Sequence, residues 1–247
     1  MRLLTLWTIL VLLAPAWAKN LVIPDARFRD ALVGFGHDTD RDGQISEAEA
    51  LAVTKLDLRN MGIASLEGIR AFKNLTNLQV AQNPLLFLDV SGLEKLDALF
   101  GYMTQLRTVN TQGCTKLRVL NLFGSPITQL SVAHLSSLES LNLSGCQLTS
   151  LDLRGLTRLL EVQVKDNSLR DILLEKNLAL NSLDLENNAL KTLSLAGAPS
   201  LKTVNIWDNR IEKLDIRGMA ELEEVRSRNN PLVLLKMGGN IKLKVLP

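Results

Sequence analysis

Nine leucines recur 21 residues apart without a slip: Leu75, Leu96, Leu117, Leu138, Leu159, Leu180, Leu201, Leu222 and Leu243. A globular domain has no reason to keep such a beat. A solenoid does, because each coil must set its core leucine against that of the coil before it. The period therefore predicts a stack of like coils and directs the search for function to variable positions pointing outward from a repeating frame.

Written from Leu138, one unit reads L-E-S-L-N-L-S-G-C-Q-L-T-S-L-D-L-R-G-L-T-R. The template LxxLxLxxNxLxxLxLxGLxx contains the stretch LxxLxLxxNxL, which resembles the leucine-rich repeat signature. The alternation of Leu141 with Leu143, or Leu183 with Leu185, predicts a short strand with one face inward. Strands of successive coils then stack as a parallel sheet. A second alternating pair, such as Leu151 with Leu153 or Leu214 with Ile216, predicts another inward-facing extended segment on the opposite side. The expected fold is an α/β solenoid, mostly β: a right-handed repeat of about nine coils with a short helical N-terminal cap.

Two polar columns accompany the leucines. Met61, Asn83, Thr104, Ser125, Cys146, Asn167, Asn188, Asn209 and Asn230 occupy the asparagine position, where a buried amide needs backbone partners in the neighbouring coil. Its early half is substituted and is expected to be the less rigid. Gly92, Gly113, Gly155, Gly197, Gly218 and Gly239 mark a turn expected to use positive φ. The first unit, from Leu56 to Leu75, carries one extra residue, as terminal repeats commonly do.

The ends of the chain read differently. Met1-Arg2, the apolar run Leu3 to Leu13 and Ala16-Trp17-Ala18 have the form of a signal peptide with an A-x-A cleavage site. Residues 1–18 are thus expected to be removed, 19–55 to form the cap, and 56–247 the solenoid. No later segment has the ~18 uninterrupted apolar residues of a membrane helix. The expected product is exported: secreted, on the cell surface or periplasmic. A net charge of +2 with interleaved signs does not suit nucleic-acid binding, which needs a clustered basic face. Cys114 and Cys146 fall in different columns on different coils and are expected to be free buried thiols.

Asp38 to Glu49 has the spacing of a complete EF-hand loop. Asp38, Asp40 and Asp42 take positions 1, 3 and 5, Gly43 the sharp turn, Gln44 the carbonyl position, Ser46 position 9 and Glu49 the bidentate position 12. These residues are the candidate ligands of one structural Ca2+. Phe28, Ala31, Leu32 and Phe35 place an apolar stripe on the preceding helix.

The first strand presents two outward columns: Gln79, Phe100, Asn121, Asn142, Gln163, Asp184, Asn205, Arg226, and Ala81, Tyr102, Phe123, Ser144, Lys165, Glu186, Trp207, Arg228. Aromatic and arginine side chains are typical interface anchors. The candidate ligand face is therefore Phe100, Tyr102, Phe123, Lys165, Glu186, Trp207, Arg226 and Arg228, with a protein as partner. His37 and His134 are the only histidines, and neither shares a phase with a nucleophile and a base, so no catalytic residues are assigned and the chain is read as non-enzymatic.

Ile23-Pro24-Asp25-Ala26-Arg27-Phe28, the loop from Asp38 to Glu49, the run Glu49 to Leu56 and the 21-residue units with Leu-Asp-Val-Ser and Leu-Asp-Leu-Arg segments together resemble the internalin-like leucine-rich repeat proteins exported by Gram-negative bacteria of the Bacteroides group. The resemblance implies an exported protein that binds other proteins, sometimes in adhesion to host cells. Cys146 alone matches the cysteine that some relatives repeat at the asparagine column. The alternative reading is a structural or assembly component of the cell envelope, self-associating through the C-terminal coil from Leu243 to Leu246.

Overall fold

The computed structural model describes residues 19–244; the expected signal peptide lies outside them. Two short helices precede a parallel solenoid. Helix α1, Ala26–Gly34, starts at Asp25, whose carboxylate accepts the Phe28 amide at 3.0 Å. The other oxygen of Asp25 accepts the amides of Ala64 and Ser65 at 2.8 and 2.9 Å, so one side chain caps the helix and fastens it to the first coil. Burial opposes ionisation of Asp25, but these amides outweigh it and hold its pKa below the ordinary value. The ring of Phe28 meets that of Phe72, centroids 6.3 Å apart, joining cap and solenoid cores.

The expected stripe on α1 is narrower than its spacing suggests. Phe28 and Leu32 are fully buried and Ala31 half-buried, but Phe35 is 44% exposed. The helix ends at Gly34, and the chain leaves the helical path through Gly36 at φ +78°, so Phe35 is a C-cap residue turned away from the core. Helix α2, Glu47–Ala52, opens with a capping box between Ser46 and Glu49.

Nine three-residue strands form one front sheet: Lys55–Asp57, Asn77–Gln79, Ala98–Phe100, Val119–Asn121, Ser140–Asn142, Glu161–Gln163, Ser182–Asp184, Thr203–Asn205 and Glu224–Arg226. All pair in parallel, and the central residue of each is buried. Lys55 pairs with Asn77, one residue further along than the step from Asn77 to Ala98, so the extra residue of the first unit is real.

The second segments pair only in twos: Phe87–Asp89 with Thr108–Asn110, Ser150–Asp152 with Asp171–Leu173, and Lys213–Asp215 with Leu234–Lys236. Among the described residues no strand forms at 128–131 or 192–195, so the back is interrupted where the front is continuous. Leu151, Leu153, Leu214 and Ile216 point inward as expected.

One glycine differs in its reason. Gly197 does not adopt positive φ; a Cβ there would lie 2.2 Å from the Leu174 carbonyl oxygen, so close backbone approach, not turn geometry, demands glycine. The left-handed conformation repeats instead at Asn60, Gln82, Met103, Gly124, Gly145, Asp166, Asn187, Asp208 and Asn229, just ahead of the asparagine column.

Candidate functional site

The outward side chains of the front sheet are shaped first by strand ends. The side chains of Asn121, Asn142, Asp184 and Asn205 each accept the amide two residues on, at 3.0–3.2 Å. Four of the eight residues of this column thus engage one oxygen each in Asx turns. Gln163 is held between the Asn142 amide at 2.9 Å and the Glu161 carboxylate at 2.6 Å.

The second column is not uniformly open. Ala81 and Ser144 were expected to face outward, yet both are buried. Ala81 is flanked in the column by two long side chains, Arg59 and Tyr102, one coil to either side and near enough for the tyrosine to act on the guanidinium. Arg59 is pinned from below by Asp57, with Nε to Oδ1 at 2.8 Å and Nη2 to Oδ2 at 2.6 Å. Asp57 first, and the Tyr102 hydroxyl after it, raise the Arg59 pKa above its ordinary value. Ser144 stands between Phe123 and Lys165 in the column, and its hydroxyl has no partner among the described residues.

Phe100 and Tyr102 are half-buried on one coil, and Phe123, 37% exposed, stands on the next. The three occupy outward positions on adjacent coils, with the Phe123 ring leaning toward Gly145 on the following coil. Trp207 is four strands further, roughly 19 Å at the usual strand spacing. Its indole Nε1 is buried without a partner among the described residues. Around it Glu186 accepts the Asn205 amide at 2.8 Å, while Arg226 pairs with Glu224 at 2.6 Å. Burial, reinforced by the charge of Glu186, raises the Asp184 pKa. Arg228 is exposed and Lys165 half-buried. The eight residues therefore form two groups, one aromatic and one charged around Trp207, not one patch.

The acidic loop keeps the turn chemistry of its spacing. Side-chain oxygens of Asp38, Asp40 and Asp42 lie within 4.8 Å of one another. Gly43, at φ +81°, donates its amide to Asp38 at 2.9 Å, and Gln44 donates to Asp42 at 2.7 Å. These three aspartates fit a hard cation that takes oxygen ligands. Glu49 is engaged differently. One oxygen accepts the Thr39 amide and hydroxyl at 2.6 and 2.8 Å and the other the Ser46 amide and hydroxyl at 2.9 Å. Burial opposes its ionisation, but these donors outweigh burial and bring its pKa down to about 2. Asp40 receives the Asp42 amide, which favours its charged form, yet desolvation and the charges of Asp42 and Glu49 leave its pKa raised. The loop is braced from outside by an antiparallel bridge between Asn20 and Ser46, and Asn20 donates to Asp42 at 3.0 Å.

The periodicity gave no hint of a groove of about 850 Å3 between the cap and the first two strands, lined by Phe35, His37, Lys55, Arg59, Met61 and Gln79 among others. The one available signal was Phe35, a large aromatic placed one residue beyond its helix. His37 lies edge-on to Phe35, centroids 6.2 Å apart, and burial lowers its pKa. His134 is bonded to the Thr111 hydroxyl at 3.0 Å.

The Leucine Rich Repeat family pattern matches residues 137–159. The solenoid superposes on the functional domain of InlJ from Listeria monocytogenes, which includes a cysteine ladder, at TM-score 0.56 and 20% identity, covering 93% of this chain and 64% of that one. The fold is a leucine-rich repeat solenoid. It also matches a chain of the LRIM1/APL1C complex at TM-score 0.65 and 24% identity, over 76% of this chain and 37% of that one. The leucine-rich repeat domain of APL1B gives TM-score 0.65 at 20% identity, over 89% and 74% of the two chains. The chain thus spans under two thirds of the InlJ domain and little more than a third of the chain in the complex. No curated protein matches significantly. Unlike a ladder of cysteines, the column here holds Cys146 alone, and both Cys114 and Cys146 are free and buried. No helix among the described residues is long and apolar enough to cross a membrane.

Proposed function

We propose that this chain is an exported, non-enzymatic module that binds another protein through its front sheet, with Phe100, Tyr102 and Phe123 as the anchor group. The observation that supports the reading is their placement at outward positions of adjacent coils, outside a core already filled by Leu99 and Leu120. Interface energy concentrates in a few such side chains, at ~2 kcal/mol or more each. Export rests on the sequence of residues 1–18, and adhesion or host interaction on the internalin-like resemblance. The test is a Tyr102→Ala, Phe123→Ala double variant. It is expected to melt close to the parent and to weaken partner capture at least tenfold. Intact capture by the folded variant would remove the aromatic group from the binding face.

The loop of Asp38, Asp40 and Asp42, with the Gln44 carbonyl, Ser46 and Glu49 around it, is proposed to hold one structural Ca2+. The cation would offset repulsion among the three carboxylates. Binding to the folded chain alone stabilises it by ~2.7 kcal/mol at a hundredfold excess over Kd. Melting in millimolar calcium is expected to exceed melting in chelator, and Asp38→Ala to erase the difference. Equal midpoints for the parent protein in both buffers would refute the assignment.

A second reading draws on the last described coil, where Leu234, Leu235, Met237 and Ile241 are exposed. Such an end can stack against a further element or a second copy in an envelope assembly. The segment from Leu243 to Leu246 expected to carry it lies partly outside the described residues. Sedimentation that shifts with concentration, and ceases to shift on Leu235→Glu, would favour this reading over a monomeric binder.

A further inference from the structure

The groove beneath the Phe35–His37 turn opens onto the same face as Tyr102, and nothing in the repeat requires it. We propose that this groove is a peptide-binding site for the partner, taking an extended segment that presents an apolar side chain beside a carboxylate. The inference rests on the reading of the front sheet as a protein-binding face and adds a second anchor with a stated chemistry.

Apolar complementarity comes from Phe35 and Met61. The core of α1 is complete without Phe35: Phe28 and Leu32 fill it, and Phe35 stays exposed at the mouth of the groove. His37 props the ring edge-on. A ring already packed edge-on against a neighbour has less rotamer freedom to lose when a partner covers it.

Charge complementarity comes from Lys55. Of the charged side chains lining the groove, Asp57 and Arg59 neutralise each other through a bidentate pair. Lys55 is exposed and forms no ion pair among the described residues. One uncompensated positive charge therefore faces a groove with an apolar wall, and the complement is a carboxylate next to an apolar group.

The remaining lining suits a backbone. The side-chain amides of Asn77, Gln79 and Gln82 make no hydrogen bond among the described residues, so each offers both a donor and an acceptor to an extended chain. The volume of about 850 Å3 lies in the range of ligand sites, ~300–1,000 Å3. Arg59, paired with Asp57, lines the groove and stands near Tyr102. A segment leaving the groove along the sheet meets Tyr102 next.

The test pans a random-peptide phage library against the intact chain and measures the enriched peptides, synthesised and fluorescently labelled, by anisotropy. The targets are the parent, Phe35→Ala, Lys55→Glu and the Tyr102→Ala, Phe123→Ala double variant, each checked by melting. Expected peptides carry an acidic residue beside an apolar one and bind at least tenfold more weakly to both Phe35→Ala and Lys55→Glu. Lys55 is exposed on the first strand, so its variant remains a fair test if Phe35→Ala loses stability. Peptides without an acidic residue, or no enrichment at all, would overturn the proposal. Binding lost on the aromatic double variant but kept by Phe35→Ala and Lys55→Glu would overturn the groove and leave the sheet-face reading standing. Binding kept by every variant would overturn both.

Discussion

Two stretches of the solenoid share one backbone and differ in what holds their coils together. From Asn167 to Asn230, each asparagine of the ladder reaches the coil before it twice. Asn188 donates to the Val164 carbonyl at 3.0 Å and accepts the Leu169 amide at 2.9 Å, and Asn209 does the same with Leu185 and Leu190. In the earlier stretch Thr104 and Ser125 share a 2.8 Å bond with each other and both turn to Gly101, and Cys146 offers only a thiol to Leu122 at 3.5 Å. Asn83, ahead of them, keeps the full set through Leu58, Met61 and Ile63. After Met61 in the first coil, the substituted part of the ladder is thus Thr104, Ser125 and Cys146, and Phe100, Tyr102 and Phe123 stand on two of these coils. In a stack whose stability is a sum of neighbour terms, the proposed anchors sit where the asparagine ladder is replaced by shorter side chains.

The sharpest way to break this contrast is to truncate one member of each stretch. Asn188→Ala leaves the buried Leu169 amide unmatched, while the Val164 carbonyl keeps the Asn167 amide; at ~1–3 kcal/mol for an unmatched donor, a loss of about 3 kcal/mol is expected in urea unfolding. Cys146→Ala removes a weak donor and a small volume and is expected to cost about 1 kcal/mol. Equal losses would mean that the ladder does not distinguish the stretches.

Acid separates the cap from both. Ladder amides do not titrate, whereas Glu49 is held at a pKa of about 2, below its ordinary 4.5. A depressed carboxylate contributes stability that is full above the unfolded pKa and declines as pH falls through the folded one. Melting in the absence of divalent cations is therefore expected to decline between about pH 4.5 and 2, with a shallower slope for Glu49→Gln. An unchanged slope would show that the brace is energetically idle.

The smallest effect concerns local opening. Amides of Leu169, Leu190 and Ile211 are bonded to asparagine side chains at 2.9–3.1 Å, whereas Leu106 reaches only the Thr104 hydroxyl, at 3.5 Å. Hydrogen exchange at Leu106 is expected to be severalfold faster than at the other three. Burial raises both thiol pKa values to about 11, so native alkylation of Cys114 and Cys146 should report opening, not reactivity.

How far the letters carried is clear from particular residues. The leucine period placed Leu78, Leu99, Leu120 and Leu141 inward on the front sheet, because a period-2 alternation admits only one phase. It could not show that Asn121, Asn142 and Asn205 spend themselves on strand-end turns, since an outward asparagine reads alike whether it faces a ligand or its own backbone. Nor could it show Ala81 and Ser144 buried, since an outward small residue reads alike whether or not its neighbours cover it. The loop from Asp38 to Glu49 was legible as turn chemistry down to Gly43. The engagement of Glu49 with Thr39 was not, because it depends on rotamers. The groove escaped because Phe35 lies where one period has stopped and the next has not begun.

The register of the front sheet has one further consequence. From Asn77 to Ala98 and onward to Thr203 and Glu224, partners are displaced by one whole unit with no drift. Excising one complete unit would return every outward residue to the outside, whereas excising one residue fewer would turn the alternation inside out. The molecule is accordingly adjustable in length by genetic duplication or loss of whole units. Its front sheet can grow or shrink in steps of ~4.8 Å, while the cap and its neighbouring strands pass through the change untouched.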